Sequence, residues 1–155
     1  MNLARNTITQ AHKQDMKETE NIKYQIIGID LLDSSISAPP PILPSAAMSQ
    51  FELNVQHHIA LNQHLIFVNC RVAILNNTKE ITYGSLSSSC TFEFPDLQSY
   101  FDGKKVNLPA DVVLSINSIA VSTTRGMLFS LLRGTYLHQA IMPVIDMNTL
   151  SRKIT

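Results

Sequence analysis

From Val112 to Leu132 apolar residues recur at steps of three and four with one formal charge, Arg125, which predicts a single long helix. Val113, Ile116, Ala120, Thr123, Met127 and Leu131 fall on one face, and Val112, Ile119, Leu128 and Leu132 form a second stripe beside it. Two apolar stripes need two covering surfaces. A sheet of the same chain would serve one and a partner subunit the other, which makes Val112, Ile119, Arg125, Leu128 and Leu132 the expected oligomer interface. A stretch of this length would also span a bilayer. Ser115, Asn117, Ser118, Ser122, Thr123, Thr124, Arg125, Gly126 and Ser130 are too polar a set for hydrocarbon, so a membrane span is not expected.

Upstream of the helix the period changes to two. Ile22 to Asp33 alternates Ile22, Tyr24, Ile26 and then shifts phase to Ile27, Ile29, Leu31 beside Gly28, the signature of a bulge. Phe51 to Leu61 places Phe51, Leu53, Val55, Ile59 and Leu61 on one face. Leu65 to Leu75 does the same with Ile66, Val68, Cys70, Val72 and Ile74, and Thr82 to Phe94 with Leu86, Ser88, Cys90, Phe92 and Phe94. A two-residue turn at Asn62-Gln63 sets Ile59 opposite Ile66, so the apolar faces coincide. A second turn at Asn76-Asn77-Thr78-Lys79, pairing Asn76 near Glu80, sets Cys70 opposite Leu86 and Cys90 opposite Ile66. A disulfide across that register has poor geometry.

Ser34 to Gln50, with Pro39-Pro40-Pro41-Ile42-Leu43-Pro44, is too long and too proline-rich for a hairpin and must cross over the sheet in extended form. It reads equally as a plain linker or as a loop whose Ile36, Ile42 and Leu43 line a groove. After the long helix come Arg133-Gly134-Thr135-Tyr136, a bend at Met142-Pro143-Val144, and a short helix over Met147 to Lys153. The fold class is α+β: a four-stranded antiparallel sheet with a long crossover loop after the first strand, packed by one long helix and a short C-terminal helix. Residues 1–21 read as a polar tail and residues 22–155 as one domain.

Composition changes this picture in one respect. Charged residues make up 15% of the 155 and apolar ones 45%, too few charges to cover the surface, so part of it is expected to be hidden in an assembly or kept apolar for binding. Lys+Arg and Asp+Glu are 12 each, and no Arg/Lys cluster is interleaved with aromatics, so no nucleic-acid partner is expected. The first 21 residues carry Arg5, Lys13, Asp15, Lys17, Glu18 and Glu20 without a continuous apolar core, so a cytoplasmic protein with reduced Cys70 and Cys90 is expected.

No phosphate loop, GxSxG, CxxC or HxxxH occurs, and no catalytic, cofactor or metal role is expected. His57 and His58 are adjacent in a strand and point to opposite faces, which argues against a shared ligand role. His12, His64 and His138 read as surface or partly packed side chains.

The order of these elements resembles the bacterial export chaperone SecB and its relatives. Arg125 followed by Arg133-Gly134-Thr135-Tyr136, then Pro143-Val144 and Leu150, is similar to that family's long helix with its arginine, its RGT-aromatic exit, its Pro-Val bend and its terminal helix. Ser35-Ile36-Ser37-Ala38-Pro39 resembles the family's entry into the crossover loop. The resemblance implies an ATP-independent holdase that assembles as a dimer of dimers and binds non-native polypeptides or preproteins in exposed grooves. It implies a peptide-binding site at Ile36, Pro40, Ile42, Leu43, Tyr136, Leu137, Ile141 and Met142. The alternatives are a relative dedicated to one client such as an antitoxin, or an oligomeric assembly module that is not a chaperone.

The family docks on the SecA motor through acids on the exposed sheet face. Here Asp33 lies near one such position, but Ser37 stands where the family has Glu, and Tyr83-Gly84-Ser85 lacks the other acid. Docking on SecA in that manner is not expected.

Overall fold

The computed structural model describes residues 21–45 and 49–150; the N-terminal tail and the end of the expected last helix lie outside the described residues. Strands β1 (Gln25–Ile36), β2 (Ser49–Ala60), β3 (Leu65–Asn76) and β4 (Thr82–Glu93) form one antiparallel sheet in the order β1-β4-β3-β2. The long helix α1 (Ala110–Leu132) and a single turn of helix, α2 (Met147–Leu150), follow. This is the α+β arrangement that the hydrophobic pattern predicts.

The hairpin β2–β3 pairs without interruption from Ser49↔Asn76 to Ala60↔Leu65, and Ile59 faces Ile66 as expected. The turn is wider than two residues: Leu61–Gln63 form a 3-10 turn and His64 closes it in the left-handed region. Between β3 and β4 the expected register is off by two, since Cys70 faces Ser88 and Val68 faces Cys90. Both displaced residues have a cause. The loop is closed by Asn76 N–H donating to Ile81 O, with the Asn76 carboxamide oxygen accepting from the N–H groups of Glu80 and Ile81. Tyr83 is then bulged out between the pairs Ile74↔Gly84 and Leu75↔Thr82. A shift of two leaves every side chain on its expected face.

β1 begins later and ends later than its alternation suggests. Ile22 to Tyr24 leave the sheet because Tyr24 stacks on Phe94 (5.1 Å between ring centroids) and shares a hydrogen bond of 2.6 Å with the Ser115 hydroxyl. At the other end Ser34, Ser35 and Ile36 pair with Leu86, Ser85 and Gly84, so Ile36 belongs to the strand rather than to the crossover loop. The phase shift at Gly28 is a bulge at Ile27, and a second bulge lies at Leu32.

α1 lies across the two central strands and contacts chiefly β3 and β4. Small residues allow a close approach there. Ala120 and Thr124 are fully buried against a floor that includes Cys70, Ser88 and Cys90. Thr124 Oγ1–H donates to Ala120 O (2.7 Å), which leaves the Ser88 hydroxyl to donate to Thr124 Oγ1 (2.8 Å). No buried hydroxyl of this pair is unpaired, as burial in apolar surroundings requires.

The stripes on α1 divide differently from expectation. Val112, Leu128 and Leu132 are buried within the chain, beside Ile116 and Ala120 of the first stripe. They are core residues and not interface residues. Only Ile119 and Arg125 of the expected interface turn away from the sheet, with Phe129 beside them. The reason is geometric: Val112, Ile116, Ala120, Thr124 and Leu128 form a row at steps of four that winds slowly around the helix, and the twisted sheet covers that row.

Cys70 and Cys90 are free thiols buried under α1. Burial pushes the Cys70 thiol up to about 11 and raises Cys90 as well. Because only the thiolate reacts, both should resist a thiol-specific reagent at pH 8 in the native protein and label together on unfolding. Rapid labelling of either in the folded state would show that α1 lifts from the sheet.

Candidate binding site

Because α1 covers only the centre of the sheet, a trough runs along each side of it. Over β1 lie Ile26, Ile29 and Leu31, which share the helix-side face with Phe92, Cys90 and Ser88 but are about half exposed. The wall of this trough is Gly126, Met127, Ser130 and Leu131, and the cavity there measures about 530 Å³. Among the described residues nothing covers the bulged Ile27 and Leu32 either, so edge strand β1 carries exposed aliphatic side chains at its bulges as well, beside Asp30 and Asp33. Its five large aliphatic residues, Ile26, Ile27, Ile29, Leu31 and Leu32, stand close together in the sequence with Gly28 and Asp30 between them, yet they were absent from the expected site.

Over β2 the second trough, of about 370 Å³, lies between His57 and Ile59 of the edge strand, Val113 and Asn117 of α1, and the loop Lys105 to Leu108. His57 Nε2–H donates to Asn117 Oδ1 at 2.6 Å, while His58 points to the opposite face beside Phe67. The loop that walls this trough is held by Asp102. Its Oδ1 accepts from the N–H groups of Lys104 and Lys105 (2.9 Å each), its Oδ2 accepts from Asn107 Nδ2 (2.7 Å), and Phe101 bridges to Val106. The Lys105 and Lys104 amides, then Asn107, hold the Asp102 carboxyl down at about 2.

A folded value below the unfolded one of about 3.9 means that the carboxylate supports the loop above pH ~4 and loses that role as pH falls toward 2. The amide shifts of Lys104 and Lys105 should therefore titrate with a midpoint near 2. A midpoint at the ordinary aspartate value would show that these bonds are not made in solution.

The groove expected from the crossover loop and the helix exit is brought together in part. Tyr83 O accepts from Ser37 N–H (2.9 Å) and from the Tyr136 hydroxyl (3.4 Å), so both segments meet on the bulge of β4. Gly84 permits this, because a Cβ there would lie 3.0 Å from Ser35 O and 3.5 Å from a Leu137 methyl. Gly134, at φ 77°, makes the turn out of α1 in a backbone region that favours glycine.

Of the expected residues, Ile36, Pro40 and Tyr136 are half-buried and Leu137 and Met142 are in the core, where they support the site from below. Ile42 (86% exposed), Leu43 (60%) and Ile141 (65%) present apolar surface outward. Val144 (85%) joins them and was not among the residues expected.

No family model matches the chain, and no curated protein matches it in sequence. Among solved structures the chain is similar to the Mycobacterium tuberculosis SecB-like chaperone in complex with a ChAD peptide from the HigA1 antitoxin. The TM-score is 0.56 at 14% identity, over 79% of this chain and 90% of that one. The chain has the SecB-like fold. Within that fold, the described face of the sheet away from α1 carries Asp30 and Asp33 on β1, Ser85, Ser87 and Ser89 on β4, and Arg71 on β3, with the pair Lys79–Glu52 at 2.9 Å near the β3–β4 turn. It is a polar surface of mixed sign. Most of this chain's exposed apolar surface lies on the helix side, along the two troughs, and at the crossover loop and bend.

Proposed function

We propose that this protein is an ATP-independent chaperone that holds non-native polypeptides and works as a homo-oligomer. The observation that carries the reading is the distribution of exposed apolar surface. Ile29, Leu31, Ile42, Leu43, Ile59, Ile141 and Val144 are all exposed, and they flank α1 or lie at the crossover loop and bend instead of scattering singly. Surface of this kind on a soluble domain marks interaction sites. In this reading a second copy covers the β1 trough and the outer face of α1 with Ile119 and Phe129, and a further pairing of such dimers builds a dimer of dimers. The polypeptide takes the β2 trough, Ile42, Leu43 and the Ile141–Val144 bend. Aliphatic side chains at about 25 cal/mol per Å² give affinity without demanding one sequence, and the free edge of β2 offers main-chain pairing.

The neighbouring structure holds an antitoxin peptide, which supports a second form of the same reading: a chaperone dedicated to one client, such as an antitoxin, rather than a general or export holdase. Docking on SecA forms no part of the proposal, since Arg71 and Ser87 share the outer face with Asp30 and Asp33. The site of action in this reading is the cytoplasm.

An aggregation assay with chemically unfolded clients, run beside a mass measurement, tests the proposal. Stoichiometric protein should suppress aggregation of several unrelated clients without ATP. Suppression for one client alone would select the dedicated form. No suppression at excess, from an intact oligomer, would leave an assembly module.

A further inference from the structure

The β2 trough has a polar floor that an indiscriminate apolar groove would not carry. Asn117 is 2% exposed and makes one side-chain hydrogen bond among the described residues, with His57. Its carboxamide has two polar ends, and the imidazole occupies only one of them. The other lines the cavity without a protein partner. This holds whichever way round the amide is placed, because the opposite orientation exposes the oxygen in place of the nitrogen. That end reaches the open cavity and is not sealed from solvent, and an apolar client side chain seated over it would bury it unpaired, which is costly.

Among the residues that line the cavity, one is charged. Lys105 lines the cavity and makes no ion pair among the described residues, and its own backbone N–H is engaged by Asp102. Asp102 keeps its negative charge while it holds the loop amides and Asn107, and the Lys105 ammonium helps to stabilise it from nearby, but no acid lines the cavity itself. With Asn117 Oδ1 accepting from His57, the group free to meet a ligand is the Nδ2 donor. A donor amide and a cation, set among Ile59, Val106, Leu108 and Val113, match a carboxylate carried on an otherwise apolar strand.

We propose that Asn117 and Lys105 make this trough selective for client segments that place an aspartate or glutamate side chain between apolar residues, paired along the free edge of β2. The inference rests on the polypeptide-binding reading above and adds to it a chemical class of client. His57 is a positioning residue, fixing the amide so that its donor end faces the cavity.

The test uses the full-length protein and two fluorescently labelled, otherwise identical apolar peptides of extended-strand sequence, one with glutamate and one with leucine at the central position. The expected result is at least tenfold tighter binding of the glutamate peptide in anisotropy titrations. Lys105→Glu, on an exposed loop where folding is not at stake, should abolish the preference, and Asn117→Leu should reverse it. Circular dichroism confirms that each variant is folded. His57→Gln, which keeps a donor near Asn117, should retain more of the preference than His57→Leu. Equal binding of the two peptides by the native protein, or an unchanged preference in Lys105→Glu, overturns the selectivity while leaving the chaperone reading standing. Failure of either peptide to bind, together with unsuppressed aggregation, overturns both.

Discussion

Leu128→Asp should unfold the domain rather than merely separate its subunits. Leu128 is 1% exposed in the single chain, pressed against the sheet in the same row as Ala120 and Thr124. Replacing it removes a buried leucine, which costs ~2–5 kcal/mol by itself, and puts an unpaired carboxylate in its place, which adds several more. A domain of this size has on the order of 5–15 kcal/mol in total. Urea unfolding followed by circular dichroism should show a midpoint near zero denaturant or no cooperative transition. Ile119→Asp is the control: Ile119 is 37% exposed on the outer face, so that variant should keep its unfolding free energy within about 1 kcal/mol and change only the mass of its assembly. If Leu128→Asp remains folded and simply dissociates, the helix is rotated relative to the arrangement described above.

The difference between these two positions was only half legible in the sequence. Periodicity placed α1 correctly and showed that one covering surface would not suffice, but it could not say which stripe meets the sheet. Both stripes are apolar, and the decision falls to residue size. Ala120 and Thr124 let the helix sit down on Cys70, Ser88 and Cys90, and this draws Val112, Leu128 and Leu132 inward with them. Strand faces were legible throughout, because alternation with a period of two survives any even error in register. The register of β3 on β4 was not, since it depends on a bulge at Tyr83 and on the Asn76 side chain capping its own loop. At the site, the crossover loop could be marked from its prolines and the aliphatic residues among them, and the helix exit only through the resemblance to SecB. His57 and Asn117 could not be joined, because they lie 60 residues apart and neither belongs to a motif.

Substituting serine for both Ile29 and Leu31 should dissolve the assembly without unfolding the chain. The two side chains lie on the helix side of β1 and are about half exposed, so the single chain gains little from them. Covered by a second copy, each would bury the remaining half of its surface, worth roughly 1 kcal/mol. In a twofold interface every substitution counts twice, so the double variant removes about 4 kcal/mol and weakens self-association by nearly three orders of magnitude. The bulges at Ile27 and Leu32 sharpen this expectation. Bulges twist an edge away from continuous strand pairing, so association through β1 has to rest on its aliphatic side chains more than on main-chain hydrogen bonds. Sedimentation of the native protein and the double variant at matched micromolar concentration checks it. The native chain should run as an oligomer and the variant as a monomer with an unchanged circular dichroism spectrum. If both sediment alike as oligomers, the partner does not sit on β1, and that trough is left open as a second site for a polypeptide.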